Sequence, residues 1–281
     1  MNPFRNGAAI GVLCSVIALA GCVPPQGACV AYTQEGANLL SEGNVRYAIW
    51  MFNEALAADS SYAEAWYLRA YAYLWSGDSV AAMRDVSRAI SLDPIHSGAY
   101  YLRAMLSCDR GDYDRAMSDA RQLLTLYPAY ADGFSCRGVV FEAMGRDDSA
   151  LANYNIAIAL RPQTNDLIRR AWVLFRAGDY RGSIADFSRT LELLPGTPDI
   201  YSDRALVRYT MNDFAGAISD CDSALAIDPE HAGAAFNKGI ACEKLGWKRE
   251  AKEAYRLFLQ VASPGDPDIQ EAEARLRELR R

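Results

Sequence analysis

Residues 65–70 read AWYLRA and residues 99–104 read AYYLRA, nearly the same phrase 34 positions later. Recurrence at a fixed period of 20 to 50 residues marks stacked units, because each unit has an apolar face that only its neighbour can cover. Working outward in both directions, the frame holds with starts at Cys29, Ala63, Ser97, Ala131, Thr164, Pro198 and Ala232, and a single step is one residue short.

The fifteenth position of the frame is Gly43, Gly77, Gly111, Gly145, Gly178, Asn212 and Gly246, residues that tolerate positive φ and close a helix. The twentieth is Ala48, Ala82, Ala116, Ala150, Ser183, Ala217 and Ala251, small enough for two helices to approach closely. Near each end stand Pro94, Pro128, Pro162, Pro195 and Pro229, which lack an amide donor and stop the second helix. Two helices per unit are predicted. The eighth position is always Gly or Ala (Gly36, Ala70, Ala104, Gly138, Ala171, Ala205, Gly239), and the fourth is aromatic at Tyr32, Trp66, Tyr100, Phe134 and Tyr201.

These small residues, turn glycines and closing prolines resemble the tetratricopeptide (TPR) repeat. The resemblance implies an all-α fold, a right-handed superhelix of seven helical hairpins over residues 29–265. Departures from the family pattern fall at Ser60 in place of the first Pro, at Leu167 and Ala235 in the aromatic slot, and at Asn212 in the turn. Residues 266–281 are predicted to form a capping helix, with Ile269, Ala272, Leu276 and Leu279 on one face. Its acids Glu271 and Glu273 precede Arg280 and Arg281, an order that suits the helix dipole.

The first 21 residues read differently. Arg5 precedes an uncharged run from Ala8 to Ala20, too short for the roughly 20 apolar residues a membrane span needs, as in a secretory signal. Leu19-Ala20-Gly21-Cys22 resembles the bacterial lipobox, which implies cleavage before Cys22 and diacylation of its sulfur. Residues 22–28 then form the lipidated Cys and a tether through Pro24 and Pro25, with a reach of about 20 Å in polyproline geometry. Val23 stands where an Asp retains enterobacterial lipoproteins at the inner membrane, so the resemblance favours an outer membrane, facing the periplasm.

Composition narrows the function. With 51% hydrophobic residues the chain is an ordered one, and a net charge of −6 leaves no broad basic surface for nucleic acid. His96 and His231 both precede the start of a unit and read as loop residues. No metal-protease, dithiol, dinucleotide or P-loop motif occurs, so neither enzyme activity nor a metal or cofactor is expected. Gly133-Phe134-Ser135-Cys136-Arg137 departs from a nucleophile elbow by its Arg and sits on a predicted helix. Cys221 and Cys242 read as unpaired core thiols, with a bridge between them as the alternative; Cys29, Cys108 and Cys136 complete an odd set of five beyond Cys22.

Charge repeats as well. The seventh position carries Arg69, Arg103, Arg137, Arg170, Arg204 and Lys238, and the twenty-third Asp85, Asp119, Asn153, Asp186 and Asp220. A ladder in which each acid holds the base of the next unit is expected, two solvated faces being the alternative.

In TPR superhelices the first helix of each hairpin lines the concave face. Carried onto this chain, the groove positions hold Tyr67, Tyr71, Leu74, Trp75, Tyr101, Met105, Trp172, Phe175, Tyr209 and Phe236. Rings at helical spacing also serve as core, but a groove lined by them would take an extended or helical apolar segment of a protein partner. The resemblance thus implies a non-catalytic adaptor for protein or peptide partners, of the kind that gathers cell-wall enzymes or assists pilus and secretin assembly. A receptor or enzyme subunit that recognises glycan or peptidoglycan is the alternative, since rings also stack on sugars.

Overall fold

The structure, a computed structural model, describes residues 27–279. The lipobox through Cys22, most of the tether, and Arg280 and Arg281 lie outside the described residues. Two compact units are present, residues 27–106 and 107–279. The boundary between them falls in the third repeat of the frame.

In the first unit, α1 (Ala28–Ser41) pairs with α2 (Val45–Ala58) and α3 (Ala63–Trp75) with α4 (Ser79–Leu92). Helix α5 (Ser97–Asp109) spans the division. The second unit continues with α6 (Tyr113–Leu126) and the pairs α7 (Ala131–Ala143) with α8 (Asp147–Leu160) and α9 (Thr164–Arg176) with α10 (Tyr180–Leu193). The pairs α11 (Pro198–Thr210) with α12 (Phe214–Ile227) and α13 (Ala232–Lys244) with α14 (Lys248–Val261) follow, and α15 (Ile269–Leu279) packs on α14. Among the described residues there are fifteen helices and no strand, an all-α fold of helical hairpins.

The turn chemistry explains why the chain folds back every 34 residues. All seven turn residues have positive φ, from 62° at Asn212 to 82° at Gly77 and Gly178, a region that costs a side chain energy and glycine none. In each turn the following residue, as at Asp78, donates its N–H five residues back, to Tyr73 O at 2.9 Å. Asp78, Asp112, Asp179 and Asp213 then cap the second helix, each accepting the N–H three residues on at 2.9–3.2 Å. Asn44, Arg146 and Trp247 occupy the same place without a side-chain cap.

Inside the hairpins the small positions are buried without exception, Ala48, Ala82, Ala116, Ala150, Ser183, Ala217 and Ala251 among them. Glycine stands at the eighth position where the second helix carries a large ring opposite. A Cβ on Gly36, Gly138 or Gly239 would lie 2.6, 2.7 or 2.5 Å from the ring of Phe52, Tyr154 or Tyr255. Hairpin two has the smaller Val86 in the ring position and tolerates Ala70. Ala171 beside the buried Phe187 breaks the rule.

The charged positions do not form the expected ladder. Arg69, Arg170 and Arg204 pair with Asp85, Asp186 and Asp220 of their own hairpin at 2.6–2.7 Å, not with the acid of the hairpin before. The link to the preceding hairpin exists, but two residues further along its second helix. Asn53, Asn155, Ser188 and Asp222 accept from Arg69, Arg170, Arg204 and Lys238 at 2.6–2.9 Å. Residue 23 of a unit faces its own first helix, and residue 25 faces the next.

Candidate protein-binding site

The rings assigned to the groove sit on first helices, and the two units present them differently. In the first unit Tyr71 and Trp75 on α3 are 38% and 55% exposed, with ring centroids 6.1 Å apart. Tyr67, one turn earlier, is half-buried and lies against the His96 ring at 4.6 Å. Close approach there requires Gly98, whose Cβ would meet the Tyr67 hydroxyl at 2.9 Å. Leu74, Tyr101 and Met105 are half-buried.

In the second unit the four assigned rings turn toward the core. Trp172 packs edge-on against the buried Phe187 at 5.6 Å and against Phe175 at 5.6 Å. Phe175 continues onto Tyr180, Tyr209 onto Phe214, and Phe236 onto Tyr255 and Phe258. The partners Phe187, Tyr180, Phe214, Tyr255 and Phe258 belong to the second helix of the same hairpin, so the four rings bridge the pair and leave only part of their surface to solvent.

The polar groups beside these rings are not singled out by the sequence periodicities. Asp203, half-buried on α11, takes a hydrogen bond from the Trp172 side chain. Burial, reinforced by the charge of Asp199, pushes its carboxyl up to about 6, against the opposing pull of His231 and Trp172. Asp166 is buried with the Ser135 hydroxyl on one oxygen and no donor on the other, and burial raises its pKa too. Glu142 accepts from the Tyr154 hydroxyl at 2.7 Å and faces Arg169 and Arg176 of the next hairpin. Glu243 repeats the arrangement with Tyr255 at 2.7 Å and Arg275 of α15 at 3.0 Å. The conjunction of Gly, Glu and Tyr at positions eight, twelve and twenty-four, found in hairpins four and seven alone, was the available signal.

The two histidines have a structural task. Nδ1 of His96 accepts the Ala99 N–H at 3.1 Å, which leaves the proton on Nε2, 2.9 Å from Glu64. His231 does the same with Ala234 and Asp199, both at 3.0 Å. Each ring thus caps its own first helix and ties it to the preceding one. The cysteines among the described residues are free: Cys136, Cys221 and Cys242 are buried, and burial raises the thiols, to about 11 at Cys242. The bridge between Cys221 and Cys242 is absent. Among the described residues no three His, Cys, Asp or Glu side chains come together as a metal site, and no helix is long and apolar enough to cross a membrane.

Sequence and fold comparisons bear on the repeats themselves. A tetratricopeptide repeat family model matches residues 33–94, 168–232 and 202–267, and a second tetratricopeptide repeat model matches residues 98–130. The Protein SGT1 homolog of Oryza sativa subsp. japonica is 29% identical over 99 residues, covering 35% of this chain and 27% of that protein. The chain thus spans about a quarter of that relative's length. Its fold is similar to that of PilW, described as a widely conserved type IV pilus biogenesis factor, with a TM-score of 0.66 and 18% identity over 75% of this chain and 98% of that one. It is similar also to pilF of Pseudomonas aeruginosa, with a TM-score of 0.63 and 17% identity over 77% and 98%. At these identities the likeness is one of fold. With positive-φ turns every 34 residues, buried small positions between paired helices and family matches over more than half its length, the chain belongs to the tetratricopeptide repeat family.

Proposed function

We propose that this chain is a non-catalytic adaptor of a bacterial cell envelope, held by a lipid on Cys22 at the periplasmic side of the outer membrane, which receives a protein or peptide on the first helices of its hairpins. The observation that carries the binding role is the exposed pair Tyr71 and Trp75, two rings at 6.1 Å on one face of α3. Large rings left in solvent lose the benefit of burial, and aromatic side chains dominate interface energetics when a partner covers them. The envelope address rests on Leu19-Ala20-Gly21-Cys22. Likeness of fold to one pilus biogenesis factor makes pilus or secretion assembly the first class of task to test, with the gathering of cell-wall enzymes next.

A photo-crosslinking residue at position 71 in living cells tests the binding role. The expected product is a protein adduct that Trp75→Ser diminishes at least tenfold; adducts with glycan alone would overturn it. Membrane fractionation of Cys22→Ala tests the anchor separately: the variant should leave the membrane fraction, and unchanged partitioning would refute lipidation.

A further inference from the structure

All four lysines of the chain, Lys238, Lys244, Lys248 and Lys252, lie within fifteen residues of the last hairpin, while every other basic residue apart from the two histidines is arginine. Lys238 is accounted for by Asp222 at 2.6 Å. The others are not. Lys248 and Lys252 are followed by Arg256, a row at i, i+4 and i+8 on one face of α14. Lys248 and Arg256 are exposed and Lys252 half-buried, and none of the three has an ion-pair partner among the described residues. The acids of the same helix, Glu250 and Glu253, face Arg249 instead, at 3.3 and 3.9 Å.

Like charges one turn apart repel, so this row opposes helix formation and nothing in the fold returns the loss. The apolar side of α14, with Ala251, Ala254, Tyr255 and Phe258, is buried in the core of the last hairpin. The helix therefore offers lipid no apolar face to insert, as an interfacial membrane helix must. What it offers is a slanted ridge of cations, each one turn beyond the last, with Cβ atoms about 5–6 Å apart. Alternate residues of an extended chain stand about 6.6 Å apart, so carboxylates on every second residue of a strand meet this ridge in register.

We propose that Lys248, Lys252 and Arg256 form a docking row for an acidic protein segment bound in extended conformation, its acids on alternate residues. The row is separate from the ringed first helices and depends on neither the groove nor the lipid. Trp247, exposed where α14 begins, adds a ring at the head of the row.

The test is fluorescence anisotropy of a labelled Ser-(Glu-Ser)4 peptide with the full chain at low salt. Binding that weakens steeply with added salt is expected. K248E/K252E/R256E should weaken it at least tenfold and should instead bind Ser-(Lys-Ser)4. K248Q/K252Q/R256Q should also lose it, and circular dichroism should show both variants folded. R46E/R88E/R115E changes the net charge equally at exposed sites elsewhere and should stay within twofold of the parent. Absence of peptide binding, an equal loss in that control, or equal affinity for a block of four glutamates followed by four serines would overturn the proposal. So would binding to phosphatidylglycerol vesicles without binding to the peptide.

Discussion

Replacing Gly138 by alanine measures how tightly the hairpins are keyed. The new Cβ would stand 2.7 Å from Cε1 of Tyr154, 2.9 Å from Cδ1 and 3.2 Å from Cζ. Ordinary carbon contacts need about 3.5 Å, so the ring must withdraw by roughly 0.8 Å. It has nowhere free to go. Tyr154 is fully buried, and its hydroxyl is held at 2.7 Å by Glu142. Overpacking of this kind costs about 1–3 kcal/mol, and weakening a hydrogen bond to a carboxylate adds up to about 1.5 kcal/mol. Alanine returns about 1 kcal/mol of helix propensity. A net loss of about 1–3 kcal/mol is expected, read as a lower urea midpoint at unchanged slope in circular dichroism. Adding Tyr154→Val, which copies the Ala70 and Val86 combination of hairpin two, should recover part of the loss relative to Tyr154→Val alone. A Gly138→Ala protein as stable as the parent would refute the close-contact account.

Removing the acid of one intra-hairpin pair should cost more than an ordinary surface change. Asp220→Ala leaves Arg204, and Arg208 at 3.2 Å, without their buried carboxylate, for an expected loss of about 3 kcal/mol in urea unfolding. Because Asp203 titrates near 6 when folded and near the ordinary carboxylate value of 3.8 when unfolded, the folded state holds its proton more tightly. That contribution is fully present below pH 3.8 and lost as pH rises through 6, so Asp203→Asn should stabilise the protein at pH 7.5 relative to pH 4.5, compared with the parent, in thermal melts. Trp75→Ala and Trp172→Ala should separate: the first, largely exposed, by under about 1 kcal/mol, the second by about 2–3 kcal/mol through lost packing on Phe187. Equal losses of stability would contradict the different burial of the two rings.

The period, the turns and the buried small residues were legible because each follows from a local demand. Positive φ selects Gly or Asn, and two close helices select Ala or Gly, whichever hairpin is considered. Leu167 and Ala235, departures from the aromatic slot, are fully buried and fill the same place. Ser60, the departure from Pro, leaves intact what its neighbours need: its carbonyl accepts from the Trp66 indole at 2.9 Å, as the Pro94 carbonyl accepts from Tyr100 at 3.2 Å. Partner choice was not legible. Asp186 stands 16 residues after Arg170 and 18 before Arg204, Ser188 the reverse, and only helix geometry decides that Asp186 turns inward to Arg170 while Ser188 reaches Arg204. The rings of the candidate groove met the same limit. Positions five, nine and twelve lie at the boundary of two surfaces, and Trp172 settles against Phe187 while Trp75, one residue past that boundary, stays in solvent.

The arginine of α15 has an implication for how such chains lengthen. Arg275 reaches Glu243 from beyond the last hairpin just as Arg169 reaches Glu142 from the hairpin after the fourth. Helix α15 thus takes at hairpin seven the place that the leading helix of the fifth hairpin takes at hairpin four. Hairpins four and seven, which share this acceptor, end in matching sockets, and either the fifth hairpin or α15 supplies a plug of the same polarity. A chain spliced so that residues 164–265 recur after hairpin seven, with α15 moved to the new end, would present every socket with an arginine. Duplication between these points repeats the socket contact, but it also turns Arg256, at position 25 of hairpin seven, toward Arg170, where Asn155 stands in the native order.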